Sequence, residues 1–309
     1  MNPIGIVIHG GAGTILKSRM TPEKESGYRQ GLEVAVQLGY DRLASGASAL
    51  DAVEATVIAL ENNPLFNAGK GAVFAGDGTQ LFDAAIMCGK SLKAGALAGV
   101  RGVKNPIHLA RTILEQSPYV LMIGAGAEEF ARQYGLEFAP PEYFFDTLRY
   151  QQWQSVRGTP ITQLDHSDKG EKNFSTVGAV AVDQQGNLAA ASSTGGMTNK
   201  RFGRVGDTPL IGSGTYAHND SCAVGCTGHG EMFIRSVVAH DVVARMRYLG
   251  QSLQEAAKAV IFEGLPKVQG TGGLIAIDRQ ANVALPFNTA GMYRAAKTSR
   301  MELTTGIFG

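Results

Sequence analysis

Cysteine is scarce. Cys88, Cys222 and Cys226 are the three in the chain, an odd number that excludes a disulfide framework as the organising device. Cys222 and Cys226 are spaced as small core residues on one face of a strand, and no second ligand pair of matching spacing follows to complete a metal centre. Charge of one sign is lacking too: 28 Lys and Arg oppose 27 Asp and Glu, for a net charge of +1. Without a basic stripe the electrostatic footprint of a nucleic-acid binder is missing, and small polar substrates suit the chain better. No run approaches the ~20 apolar residues of a spanning helix. The opening Met1-Asn2-Pro3-Ile4-Gly5 has no basic segment ahead of an apolar one, so a cytoplasmic location without membrane contact is expected.

Familiar catalytic signatures are also missing. Six histidines are present, but no GxSxG elbow and no HExxH pair accompanies them. His9-Gly10-Gly11-Ala12-Gly13 follows the apolar run 4–8, yet neither the dinucleotide fingerprint nor the Gly-Lys-Ser/Thr ending of a phosphate loop is there. A tight turn that packs backbone on backbone is expected instead.

Glycine is what the chain has in excess: 40 of 309 residues against a usual ~7%, with no repeat period. Many turns and close backbone approaches follow. Thr21, Pro22, Glu23 and Glu25 announce a helix to about Ser45, and Ser48 with Asp51 announces a second, ending near Glu61 before Pro64. Residues 65–74 read as a glycine-rich entry to a strand. Strands at 81–87 and 96–100 follow, spaced as an antiparallel meander. Helices at 106–116 and 126–134 bracket a short strand at 120–123. Beyond Pro140-Pro141 the pattern dissolves, apart from an amphipathic piece at 148–153, into a polar linker over about 158–175.

Order returns at Thr176. Residues 176–182 and the strand after them form a hairpin across 183–187, a further strand covers 222–227, helices occupy about 231–247 and 252–263, and a second hairpin joins 274–277 to 283–286. A single domain over 1–309, of α+β class with a four-layer αββα sandwich, is the natural layered solution.

Thr176 then stands where a polar linker meets a buried strand, and Thr194, Arg204, Asp207, Thr227, Gly228 and Gly230 follow it. The His-Gly-Gly-Ala-Gly opening, Leu65-Phe66-Asn67-Ala68-Gly69, Thr176-Val177-Gly178-Ala179-Val180, Ser193-Thr194-Gly195-Gly196-Met197-Thr198-Asn199-Lys200, Gly203-Arg204-Val205-Gly206-Asp207, Cys226-Thr227-Gly228-His229-Gly230-Glu231 and Leu285-Pro286-Phe287-Asn288-Thr289 together resemble the plant-type L-asparaginases, or isoaspartyl peptidases, of the N-terminal nucleophile (Ntn) hydrolases. The match runs nearly the full length in order, with the linker as its variable part.

The resemblance implies an Ntn-hydrolase fold and a chain that cuts itself before Thr176, leaving an α part (1–175) and a β part (176–309) together. A threonine hydroxyl is a weak nucleophile near neutral pH, whereas a free terminal amine with a pKa of ~7.7–8.0 can serve as its base from the same residue. By similarity Thr176 is the nucleophile, Thr194 the hydroxyl that tunes it, and Arg204 and Asp207 the holders of the substrate α-carboxylate and α-ammonium. Thr227 and the Gly228 N–H form the oxyanion hole, and Gly230 lets the ammonium approach bare backbone. Asn67 supports the geometry. Leu60, Glu61, Asn63, Phe66, Ala68 and Lys70 form a loop whose backbone carbonyls hold a structural Na⁺ in the family; no organic cofactor is implied. The implied substrates are L-asparagine and β-aspartyl dipeptides, and the implied assembly is a dimer of αβ units. A glycosylasparaginase, or a non-maturing amino-acid-binding protein, are the rival readings. Ser175, where the family usually has glycine, adds a Cβ next to the scissile bond and bears on the rate of cleavage.

Overall fold

The computed structural model describes residues 2–160, 162 and 176–309. Ser175 and nearly all of the proposed linker, 161 and 163–175, lie outside the described residues. An eight-stranded sheet contains β1 (Gly5–Gly13), β2 (Phe82–Cys88), β3 (Ala94–Val100), β4 (Leu121–Ile123), β5 (Val177–Val182), β6 (Leu188–Thr194), β11 (Gly291–Thr298) and β12 (Met301–Phe308), in the spatial order β12-β11-β1-β5-β6-β2-β3-β4. A second sheet contains β7 (Thr215–Ala217), β8 (Cys222–Gly228), β9 (Gly272–Asp278) and β10 (Val283–Ala284), in the order β10-β9-β8-β7.

Alternation along the strands divides the core. Ile6 and Ile8 of β1, with Val177, Ala179 and Ala181 of β5, pack under α1 (Pro22–Ala44) and α2 (Ala49–Glu61). Val7, Val180, Val182 and Ala190 face the other way and meet Ala223, Ile275 and Ile277 of the second sheet. That sheet's outer face, with Cys222, Val224 and Cys226, packs on α8 (Val238–Leu249) and α9 (Leu253–Lys258). Two-sided burial explains why β5 reads as a continuous apolar run.

Both helix-start signals hold. Thr21 accepts from the Lys24 N–H ahead of Pro22, and Ser48 and Asp51 form a reciprocal capping box. Cys222 and Cys226 are free buried thiols that burial pushes up, Cys222 to about 12 and Cys226 well above its usual value. Both are core residues, as their spacing implied.

Several expectations fail for local reasons. Residues 65–74 form a loop with one 3₁₀ turn at Gly69–Gly71 rather than a strand entry, because the segment closes back on α2. The His-Gly-Gly-Ala-Gly run is no turn: β1 continues through it, with an irregularity between His9 and Gly11, and Gly11 takes φ +116. A Cβ on Gly10 would lie 2.4 Å from the Phe66 ring, so the glycine serves packing. The meander is interrupted: β2 lies between β3 and the distant β6, and β3 reaches β4 by a parallel crossover through α3 (Pro106–Gln116), with α4 (Gly124–Gln133) and α5 (Pro141–Phe144) following β4. The helix expected at 231–247 is two, α7 (Gly230–Ser236) and α8, parted by Val237 in the left-handed region at φ 48. β7, β11 and β12 carried no expectation.

Candidate active site

Register brings the first threonines together. β5 pairs antiparallel with β6, Val177 opposite Ser193, which puts Thr176, just ahead of β5, beside Thr194, the last residue of β6. β2 flanks the other side, with Asp83 opposite Thr194. Neighbouring strands lie about 4.8 Å apart, so Thr176, Thr194 and Asp83 make one row across three strands. The row faces the second sheet, the side to which Val180 and Ala190 also turn. Thr176 and Thr194 are buried, and Asp83 is fully so.

The strand end at Thr194 is tied on every side. Its Oγ1 accepts from the Gly196 N–H at 2.9 Å. Asn67, fully buried, donates through Nδ2 to the Gly196 carbonyl at 2.8 Å and accepts on Oδ1 from the Val73 N–H at 3.0 Å. Its own carbonyl accepts from the Gly195 N–H. A Cβ on Gly195 would stand 2.6 Å from Asn67 Oδ1, so this approach needs glycine. Asn67 therefore clamps the 194–196 turn.

β8 brings Thr227 and Gly228 to the same end of the molecule. Thr227 Oγ1 accepts from the Ala12 N–H of β1 at 3.2 Å, stitching the two sheets together. A hydroxyl held as acceptor in this way still has its own proton to donate. A Cβ on Gly228 would sit 2.4 Å from the Phe233 ring.

Arg204, Asp207 and Gly230 converge. A Cβ added to Gly230 would lie 2.9 Å from Arg204 Nη2 and 3.1 Å from Asp207 Oδ1. Arg204 donates from Nε and Nη2 to the two oxygens of Glu231 at 2.8 and 3.0 Å, a forked pairing that fixes the guanidinium plane. Burial opposes ionisation of Glu231, but the bonds and charge of Arg204 outweigh it and hold the carboxyl below its usual range. Asp207 is different: burial pushes it up to about 7 against the pull of its own backbone N–H and of Arg204. Its Oδ2 has no hydrogen-bond partner among the described residues. An unpaired buried carboxylate oxygen is costly, and a ligand cation would relieve that cost.

The loop after α2 folds tightly on itself. The carbonyls of Leu60, Asn63, Phe66 and Ala68 accept from the N–H groups of Asn63, Phe66, Ala68 and Gly71. Gly69, at φ +50, approaches so closely that a Cβ would sit 2.6 Å from the Glu61 carbonyl oxygen. Each carbonyl keeps a second lone pair, and a set of neutral hard oxygens fits a hard cation of low charge. Among the described residues no group of three or more His, Cys, Asp and Glu is placed to hold a metal ion. The buried Arg149 of α6 (Thr147–Val156) donates to the Gly71 and Leu65 carbonyls, docking this helix on the loop.

Sequence reasoning assigned no role to four groups at the site. His9 is fully buried beside the Thr176 backbone and against Gly178, and burial pulls its imidazole down to about 3, so it is neutral. Glu231 pairs with Arg204. Asp83 and Lys200 form a buried ion pair at 3.4 Å. A signal existed for Asp83, an acid inside the apolar run Leu81-Phe82-Asp83-Ala84-Ala85-Ile86. A cavity of about 650 Å³ is lined by Phe74, Phe82, Phe138, Phe144, Phe145 and Tyr150 among others, and by none of the expected site residues.

A family model described as asparaginase matches residues 1–307. Among named proteins, the chain is 54% identical over 307 residues to the isoaspartyl peptidase of Escherichia coli, covering 98% of this chain and 95% of that protein. It is 43% identical over 309 residues to the plant-type L-asparaginase of Thermococcus kodakarensis, with 96% and 97% covered. It is 40% identical over 303 residues to the isoaspartyl peptidase/L-asparaginase of Bos taurus, with 98% and 96% covered.

Proposed function

The chain belongs to the asparaginase family, and on that premise we propose that it is a self-processed Ntn hydrolase that releases L-aspartate from β-aspartyl dipeptides and L-asparagine. Its architecture is then the αββα sandwich of Ntn hydrolases. Water cleaves the Ser175–Thr176 peptide bond, giving an α chain (1–175) and a β chain (176–309) that remain packed together. Thr176 acquires a free α-amine, which takes the proton of its own hydroxyl as that oxygen adds to the substrate β-carbonyl. The developing oxyanion is met by the Thr227 hydroxyl and the Gly228 N–H. The proton then goes to the departing amine, ammonia or a peptide amino group, leaving a β-aspartyl ester on Thr176. Water hydrolyses that ester, and aspartate leaves.

One observation carries the substrate assignment: a buried carboxylate oxygen of Asp207 with no partner among the described residues, set around the bare backbone of Gly230 next to Arg204. That arrangement suits an α-amino acid head, with the ammonium on Asp207 and the carboxylate on Arg204. A guanidinium has five N–H donors, and Glu231 takes two. The backbone carbonyls of residues 60–70 would hold Na⁺ and brace Asn67. No organic cofactor enters the scheme. The assembly is a cytoplasmic dimer of αβ units, acting on small molecules rather than nucleic acid or membrane. Thr176→Ala tests the reading: both chain cleavage and aspartate release should disappear, and persistence of both refutes it.

A further inference from the structure

We propose that Asp83 and Lys200 are positioning residues for Thr194, needed for turnover beyond their part in the fold. The inference rests on the roles given above to Thr176 and Thr194. Asp83 stands next to Thr194 in register, on the side away from Thr176. Its Oδ1 accepts from the Gly99 N–H at 2.8 Å, which fixes the carboxylate on β3, and its Oδ2 faces Lys200 Nζ at 3.4 Å. Lys200 is itself buried and also donates to the Leu81 carbonyl at 3.1 Å.

The ammonium lies directly under the turn that holds Thr194. Gly196 takes φ +78, and a Cβ there would be 2.8 Å from Lys200 Nζ. The same Gly196 donates its N–H to Thr194 Oγ1. The turn is closed at the Lys200 backbone as well, whose N–H donates to the Met197 carbonyl while its carbonyl accepts from Gly76. Lys200 thus folds back beneath its own turn, and Asp83 ties it to the strand beside Thr194. Burial pulls the ammonium down and Arg204 repels it, while Asp83 pushes it back up.

A buried pair is weak evidence of stability, because a neutral replacement of both partners is often tolerated whereas removal of one is not. That asymmetry supplies the test. The double variant Asp83→Asn/Lys200→Met, as mature two-chain enzyme, is expected to keep a melting temperature within a few degrees of the parent. Its kcat should fall at least 30-fold, with KM within threefold. A kcat within threefold of the parent at unchanged melting temperature overturns the proposal. Should the double variant not fold, Lys200→Arg carries the test, since it keeps the charge but alters the reach under Gly196. A fivefold or greater loss of kcat at unchanged KM and melting temperature supports the proposal, and parental kcat overturns it. Thr176→Ala run alongside separates the claims. If it still releases aspartate, the nucleophile assignment fails; if it is dead and the double variant is unimpaired, only the role of the pair fails.

Discussion

Glu61 and Asp207 are both buried, and burial pushes both carboxyls up to about 7, yet their surroundings differ in kind. Glu61 accepts from the Ser193 hydroxyl at 2.6 Å, the Ile107 N–H at 2.9 Å and Asn105 Nδ2 at 3.1 Å. It joins the end of α2, the start of α3 and β6, and caps α3 in place of Asn105, whose own side chain makes no cap bond. Asp207 has one oxygen with no partner among the described residues, beside a glycine and an arginine. A raised carboxyl is thus no mark of function by itself. The satisfied one holds elements together, and the other keeps one oxygen unpaired among the described residues.

The contrast is broken most sharply by Asp207→Asn. On the proposed pairing of Asp207 with the substrate ammonium, losing its charge should lower kcat/KM about 10²–10³-fold, without lowering the melting temperature at pH 8. Glu61→Ala should do the reverse. Orphaning the groups that Glu61 satisfies should cost about 2–4 kcal/mol in urea unfolding, while KM for β-aspartyl substrate changes little. Gly230→Ala sharpens the geometry of the pocket: a methyl at 2.9 Å from Arg204 Nη2 should raise KM roughly tenfold with kcat nearly kept.

The smallest effect is a pH slope. With an unfolded value of ~3.9 and a folded value of about 7 for Asp207, the unfolded chain gives up a proton between those limits that the folded chain retains. Its contribution to stability is therefore complete below about pH 4, falls as pH rises, and is flat above about 7. Asp207→Asn should flatten part of that slope in unfolding measured from pH 4.5 to 8; Glu61 adds a slope of the same sign, and the buried His9, pulled down to about 3, opposes both below about 6.5. An unchanged slope would show that Asp207 ionises normally.

How far the sequence was legible depended on how local the signal was. Thr21 with Pro22, and Ser48 with Asp51, start helices through their own neighbours, and the structure has both where they were read. The Thr176–Thr194 pairing was also near at hand, because the hairpin between them is short. Asp83 enters that row only through a pairing of β2 with β6, more than a hundred residues away, which no window reveals. Residues 65–74 misled for a related reason: Phe66 packs on Tyr28 and Tyr293, and the Gly71 carbonyl accepts from Arg149 instead of joining a ladder. Val237 broke a helix that periodicity alone would continue. Arg204 and Asp207 were visible as a spaced pair, but the fork to Glu231 and the orphan oxygen of Asp207 exist only in three dimensions.

The central claim is that cleavage before Thr176 creates the catalyst. A denaturing gel of purified active protein, with N-terminal sequencing of the smaller band, tests it most directly. Two bands are predicted, the smaller reading Thr-Val-Gly-Ala-Val, rising in step with aspartate release. A single full-length chain that releases aspartate at full rate would contradict it.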